Sequence, residues 1–545
     1  MNSKQDKSKF LQEVMNGKLS RRDFLGLSAA AIGALAFAPG CSGTSSSTSR
    51  PPNILFILSD NQPASMLGCY GNPDIKTPHV DRLASEGVRF KRAFACNGLC
   101  SPTRASLMTG LIPSQHGIHD WIDDAALTVA GWPPDWCAVQ EFRTLPLTLA
   151  NRGYQTALIG KYHMGQPRHP MPGFQDWITF PYGHTMSFWS NTIIDNGIEY
   201  PLVGKHIVEF FAEKGVEYIQ KYTGEKPFYL QLNFDGPYLL PPTNLGRDCN
   251  RFYLDYFGKD FKTWWPRSEF SPIFEQMIGG RPDDPKNQEL HMLYMLKQMH
   301  LDPESMANTT SQNAVVDYAV GLVMDALKKA GLDENTLVIY STDQADFYNQ
   351  HGLYGHTNYT IPSSLYDCVM NVPLIMRQPG TIKSNLASDL MIGQYDIFPT
   401  ILDCVGFGNV KIENTPGHSF APHLKGQSLD NWKDEVYFEQ EESRGIRTPK
   451  YAYWKRLQGF GPAQLYDVES DPGQNYPLFG HEDIVDELDQ KLTEFFNGHA
   501  DPQYDLWKSG KTKSFTGRTK AVNELIKTIH WELDDTFKKP FSEKV

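Results

Sequence analysis

The chain has 545 residues, 40% of them hydrophobic and 21% charged, with a formal net charge of −12. That length can bury a large core and implies two domains or subdomains, and the composition is that of a soluble globular protein rather than a disordered or fibrous one. The acidic balance excludes nucleic acid as a partner, because phosphate binding needs a basic face; it leaves room for a small anionic substrate, since one pocket can be locally positive.

The N-terminus is an address. Ser20-Arg21-Arg22-Asp23-Phe24-Leu25 precedes an apolar, alanine-rich run over residues 25–38, then Pro39-Gly40-Cys41. Residues 1–41 read as a twin-arginine export signal, which makes the twin-arginine translocase a partner and the periplasm the destination. The run is shorter than the about 20 residues that a membrane span needs. Cys41 stands where a lipidated cysteine would, although Ala38 is not the branched apolar residue expected three positions earlier. Residues 42–52 read as a flexible Ser/Thr-rich linker. Export implies an oxidising compartment, so pairing among Cys69, Cys96, Cys137, Cys249, Cys368 and Cys404 is an open expectation, with no connectivity legible.

Residues 53–59, between Pro52 and Asp60, are continuously apolar, as in a strand buried on both faces of a parallel sheet. Residues 80–87 carry a helical pattern ending at glycine, and 88–94 read as a strand. Residues 103–109 are helix-like, which puts Cys100 at a helix N-terminus, where free N–H groups favour negative charge. A helix at 144–152, strands at 155–159 and 226–234, a helix at 312–330 and a strand at 336–341 continue the alternation. Strands alternating with helices define an α/β sheet, and ligands bind beyond its strand C-termini. Asp60 and Asn61 fall at one such end, Asp343 and Gln344 at another. From about residue 432 the texture becomes short antiparallel strands (435–439, 451–457, 465–468) and an amphipathic helix at 484–496. The expected division is a main domain over 53–431 and a C-terminal subdomain over 432–545; the last thirty residues have no assignment.

One run outweighs the rest: Cys100-Ser101-Pro102-Thr103-Arg104-Ala105-Ser106-Leu107-Met108-Thr109-Gly110. A lone cysteine is usually a buried thiol, but Cys-x-Pro-x-Arg resembles the signature of the sulfatase family, in which that cysteine is oxidised to formylglycine by a formylglycine-generating enzyme. Leu465-Tyr466-Asp467-Val468 followed by Asp471-Pro472 resembles the family's C-terminal subdomain. The resemblance implies an alkaline phosphatase-like α/β fold: a large, mostly parallel or mixed sheet flanked by helices, with a smaller antiparallel subdomain. It implies a sulfuric ester hydrolase, in which hydrated formylglycine attacks sulfur and its second hydroxyl later expels sulfate. Arg104 would steady the diol. Asp60, Asn61, Asp343 and Gln344, with the modified Cys100, would hold a divalent cation, calcium or alternatively magnesium, through the oxygen donors that hard cations need. Gly160-Lys161-Tyr162-His163-Met164-Gly165 resembles the family's Gly-Lys-Trp-His-Leu-Gly, which assigns Lys161 to the sulfate oxygens and His163 to the base for sulfate release.

Four positions depart from the family pattern. Asn61 stands where Asp is usual, and Gln344 where Asn or His is usual; amides carry no charge, so cation affinity should be weaker. Tyr238, in Phe234-Asp235-Gly236-Pro237-Tyr238, stands where a histidine assists the leaving oxygen, and His356, in His351-Gly352-Leu353-Tyr354-Gly355-His356, where a lysine contacts sulfate. One reading exchanges the roles, with His356 as leaving-group acid, because a tyrosine with a pKa near 10 donates poorly. Loss of activity and adaptation to an unusual substrate are the others. His116, His119, His184, Trp121, Trp177 and Trp189 are weak pocket candidates, and Asp346, Asn349 and His351 are expected to be structural. The substrate implied is a sulfated carbohydrate. The rivals are phosphate or phosphonate monoester hydrolysis on the same fold, and a non-catalytic protein that binds sulfated glycans.

Overall fold

The computed structural model describes residues 50–122, 133–183, 185, 187–238, 249–261, 299, 302–357, 360 and 362–514. The expected export signal, Cys41, most of the linker, His184 and residues 515–545 lie outside the described residues.

β1 (Asn53–Ser59), β2 (Val88–Phe94), β3 (Gln155–Gly160), β4 (Asp176–Thr179), β5 (Ser190–Asp195), β6 (Ile198–Val203), β7 (Phe228–Asn233), β8 (Thr336–Thr342), β9 (Asn371–Arg377) and β10 (Leu386–Gly393) form one sheet. The order is β10-β2-β9-β8-β1-β7-β3-β4-β5-β6. Neighbours from β8 to β4 are parallel, while β9 and the β5–β6 ribbon run antiparallel to theirs. β1 lies near the middle and is apolar from Ile54 to Leu58 because both its faces are covered. Ile54, Phe56 and Leu58 enter one core and Leu55 and Ile57 the other, all fully buried.

The helices that matter for the site are α1 (Pro78–Ser85), α2 (Cys100–Thr109), α3 (Leu145–Asn151), α4 (Ile207–Lys221), α5 (Pro303–Lys329) and α6 (Ile397–Cys404). Leu107 of α2, Leu149 of α3 and Ile401 of α6 share the core of Phe56, whereas Phe211 of α4 and Val320 of α5 share that of Leu55. The sheet is thus covered on both faces, as expected for the α/β class. α5 begins at Pro303 rather than at 312. Its first turns carry Asn308, Thr309, Thr310, Ser311, Gln312 and Asn313, all buried, so no apolar stripe marks that half. Asp302 caps it by accepting from Ser305 N at 2.8 Å.

A second, antiparallel sheet runs β11 (Val436–Gln440), β12 (Ser443–Arg447), β13 (Tyr451–Arg456), β14 (Gln464–Asp467). Helix α7 (Glu482–His499) lays Leu488, Leu492 and Phe496 on Ile446, Tyr453 and Leu465. The expectation of disulfides is not met among Cys69, Cys96, Cys137, Cys368 and Cys404, which form none. They sit on separate elements with other partners: Cys96 faces Gln394 Oε1, and Cys137 bridges through its backbone to Gly165. No described helix is long and apolar enough to cross a membrane.

Candidate active site

Strand order decides which residues meet. β1 lies between β8 and β7, and β3 lies beyond β7, so their C-terminal ends stand side by side. Asp60 and Asn61 leave β1, Asp343 and Gln344 leave β8, Lys161 and His163 leave β3, and Asp235 to Tyr238 follow β7. At Gly160, with φ +114°, a Cβ would lie 1.7 Å from the Asn233 carbonyl oxygen, so only glycine lets β3 turn off against β7. The turn is then fixed, since Lys161 N donates to Asn233 O at 3.0 Å and Asn233 Nδ2 to Lys161 O at 2.8 Å.

Helix α2 brings the nucleophile position. Cys100 is its first residue, as the sequence indicated, and Pro102 sits in the first turn, where its missing N–H costs no intrahelical bond. Thr103 Oγ1 donates to Leu99 O at 2.7 Å and tightens that turn. One turn on, Arg104 points back into the cluster. Nε and Nη2 donate to Asp343 Oδ2 at 2.9 and 2.7 Å, Nη1 donates to Lys161 O at 3.1 Å, and Nη2 lies 3.6 Å from Asp60 Oδ2. Lys161 Nζ is 2.5 Å from Asp60 Oδ2 and 3.5 Å from Cys100 Sγ.

Burial sets the electrostatics. It raises Asp60 to about 6, aided by Asp343, even though Lys161 and Arg104 pull the other way. Burial also acts on Asp343, but Arg104, Lys161 and the N–H groups of Asn61 and Gln344 more than offset it and hold that carboxyl below its ordinary value. We take the pair as one charged and one near-neutral-titrating carboxyl, because Arg104 grips Asp343 at closer range. Burial pushes the Cys100 thiol up to about 12, against the pull of Lys161. An unmodified Cys100 is therefore a neutral thiol and a poor nucleophile at neutral pH.

The donor set fits a hard divalent cation. Asp60, Cys100 and Asp343 each offer an atom within 4.8 Å of the others. Asn61 and Gln344 add amides to the same spot, with Gln344 Nε2 donating to Asn61 Oδ1 and to Cys100 Sγ, the latter at 3.1 Å. Rotating the Gln344 amide would present oxygens from both residues to a cation, a choice that hydrogen bonding alone decides. Three buried carboxyls (Asp60, Asp343, Asp235) lie among two buried cations (Arg104, Lys161), so carboxyl oxygens outnumber the cationic partners beside them.

Asn61 is explained by its surroundings. It sits at φ +58°, which asparagine tolerates, and its Nδ2 donates to Asp346 Oδ2 at 3.4 Å. Asp346 also accepts from Tyr348 N and Gly355 N at 3.1 and 2.9 Å, and burial lifts it to about 7. A carboxylate at position 61 would face this carboxyl. Asp346 is thus structural, as expected.

Around the cluster, the Tyr238 ring lies 4.7 Å from Lys161 Nζ and stacks on His356, with centroids 6.3 Å apart and planes at 11°. The two exchanged positions are therefore neighbours. His163, at φ +53°, presents Nε2 to Ile122 O at 3.1 Å, which makes Nδ1 the basic nitrogen of the neutral ring. Asp235 was missed in the sequence, although it occupies a strand end like the residues that were chosen. Its Oδ1 lies 3.8 Å from Lys161 Nζ and its Oδ2 accepts from Thr185 N at 3.1 Å. Burial raises this carboxyl well above the usual range, with Lys161 opposing.

Several weak candidates are packing residues. His116 bonds Ser106 Oγ at 3.0 Å and burial lowers its pKa well below the usual value. His119 faces Tyr504 O at 2.8 Å, and Trp177 donates to Pro167 O at 2.7 Å inside the core. Trp189 packs edge-on against His206 at 5.3 Å, and His351 stacks on Tyr366 at 3.9 Å. Asn349 Nδ2 donates to the Tyr354 hydroxyl at 3.4 Å, and Trp121 N donates to Asp120 Oδ1 at 2.7 Å.

A mixed sheet covered on both faces, with paired cations and carboxylates at the strand ends around a helix-borne Cys100, defines a hydrolase of the alkaline phosphatase-like superfamily. The sulfatase family model matches residues 52–407, and that of the N-sulphoglucosamine sulphohydrolase C-terminal region matches 355–498. An N-acetylglucosamine-6-O-sulfatase of Bacteroides thetaiotaomicron is 24% identical over 85% of this chain and 90% of its own length. A solved structure described as bound to its substrate D-glucosamine-2-N,6-O-disulfate superposes with TM-score 0.63 at 22% identity, over 83% of this chain and 98% of the other. The phosphonate monoester hydrolase of Agrobacterium radiobacter superposes with TM-score 0.62 at 20% identity, over 82% and 95% of the two chains. The chain belongs to the sulfatase family and is a sulfuric ester hydrolase.

Proposed function

We propose that this enzyme removes sulfate from a sulfated carbohydrate, using formylglycine made from Cys100 and a bound calcium ion. The observation that carries the reading is the buried cluster in which Cys100 Sγ lies 3.5 Å from Lys161 and 3.8 Å from Asp60. The sugar is supported by relatives named for sulfated glucosamine. The Cys100-x-Pro102-x-Arg104 run supports the modification.

Asp60, Asn61, Asp343, Gln344 and residue 100 would hold a calcium ion, which would supply positive charge beside the attacking hydroxyl that a hydrated aldehyde at position 100 would offer. This chain's own groups do the rest. Arg104 locks Asp343 and the Lys161 backbone. The Lys161 ammonium stabilises the sulfate oxygens. His163 accepts a proton at Nδ1 during sulfate release. His356 gives a proton to the departing sugar oxygen, while Tyr238 holds the His356 ring by stacking.

Comparing kcat/KM for nitrophenyl sulfate and nitrophenyl phosphate, followed by a panel of sulfated oligosaccharides, tests this reading. Sulfate preference with release from a sugar is expected. Phosphate preference would favour the monoesterase rival, and binding without turnover, despite full modification, the non-catalytic one. We propose also that residues 1–41 direct export to the periplasm through the twin-arginine route. Replacing Arg21 and Arg22 with lysine should leave the protein in the cytoplasm; unchanged export would contradict this.

A further inference from the structure

One ammonium group lies between two buried carboxyls, one of the cation cluster and one outside it. Lys161 Nζ sits 2.5 Å from Asp60 Oδ2 and 3.8 Å from Asp235 Oδ1, with all three side chains fully buried. Asp60 belongs to the proposed cation site and Asp235 does not. Asp235 is fixed through Oδ2 by Thr185 N at 3.1 Å, while its Oδ1, facing Lys161, has no hydrogen bond. A buried carboxylate oxygen with unused acceptor capacity beside an ammonium already bonded elsewhere is an unfinished contact.

The other cation cannot move in its place. Arg104 is tied to Asp343 by two nitrogens and to the Lys161 carbonyl by a third. Lysine carries a point charge on a flexible stem, and the Tyr238 face, 4.7 Å from Nζ, flanks the ammonium in its pocket. A divalent cation arriving on Asp60 repels the ammonium bonded to that same carboxylate.

We propose that Asp235 is a positioning residue that receives the Lys161 ammonium when a divalent cation takes Asp60, so that metal loading moves Lys161 from the cation cluster to the sulfate pocket. This rests on the cation site proposed above. Metal and anion binding are then coupled, because each favours Lys161 in the same place.

The test is calorimetric titration of calcium into the chelator-stripped full-length enzyme, comparing the wild type with Asp235→Asn, Lys161→Met and the double variant. Asp235→Asn should weaken calcium binding about tenfold, within the ordinary range of coupling between sites. Lys161→Met should tighten it, and in that background Asp235→Asn should have no further effect. If the Asp235→Asn loss persists undiminished without Lys161, Asp235 acts as a distant attractive charge and the handover is overturned. Unchanged affinity in Asp235→Asn overturns it too, while leaving the cation site intact; a wild type that binds no calcium sinks both. Should Asp235→Asn fail to fold, inorganic sulfate binding to the wild type decides: it must tighten on calcium loading, and equal affinity with and without calcium overturns the handover.

Discussion

Replacing Arg104 with methionine keeps most of the side-chain length but removes the cation that faces two buried carboxyls. The guanidinium is 1% exposed, and it neutralises Asp343 at 2.7 Å while lying 3.6 Å from Asp60. Removing one partner of a buried ion pair costs about 3–5 kcal/mol, because the other charge is left without compensation. The Lys161 carbonyl, which accepts from Nη1 at 3.1 Å, keeps its bond from Asn233 Nδ2 but loses this one, for about 1 kcal/mol more. Urea unfolding in chelator at neutral pH should therefore show a loss of about 4–6 kcal/mol, a sum of those two costs. Asp343→Asn in the same chain should return about half of it, since the stranded charge is gone and contacting residues couple. Calcium should return part of the remainder by supplying positive charge to the same carboxylates. A loss below about 1 kcal/mol, or additive single and double variants, would refute the claim that Arg104 balances a buried carboxylate.

Other outcomes follow from the same cluster. Asp60 is raised from 3.8 to about 6, so its protonation favours the folded, calcium-free enzyme below 3.8, and that contribution disappears as pH rises through about 6. Calcium needs the ionised carboxyl, so calorimetric affinity should fall as pH drops below about 6; a flat profile from pH 7.5 to 5 contradicts the assignment. Asn61→Asp should lower chelated-state stability by about 1–3 kcal/mol through its clash with Asp346, and Asp346→Asn should restore most of it in urea titrations. His356→Ala should cut turnover of alkyl sulfates by about 10²–10⁴-fold and spare nitrophenyl sulfate, whose leaving group needs no acid; equal losses in steady-state rates rule out the acid role.

Much of this was legible in the residues. The apolar run 53–59 is a doubly covered strand, and Cys100 starts a helix because Pro102 and Thr103 suit a first turn. The strand-end residues Asp60, Asn61, Lys161, Asp343 and Gln344 meet because their strands are neighbours. What escaped depends on distant partners. The reason for Asn61 lies in Asp346, 285 positions away, and that for Asp235 in its contact with Lys161. β4, at four residues, is too short for a periodic signal, and β6 alternates between exposed and half-buried positions without a covered face. The first half of α5 is polar because it packs on polar neighbours: Asn313 accepts from Gln62 at 2.8 Å.

The most direct measurement is mass spectrometry of the peptide spanning residues 93–104, taken from active enzyme alongside its specific activity. The account predicts an aldehyde, or its hydrate, in place of the Cys100 thiol, in proportion to activity. A free thiol at position 100 in fully active enzyme would contradict it.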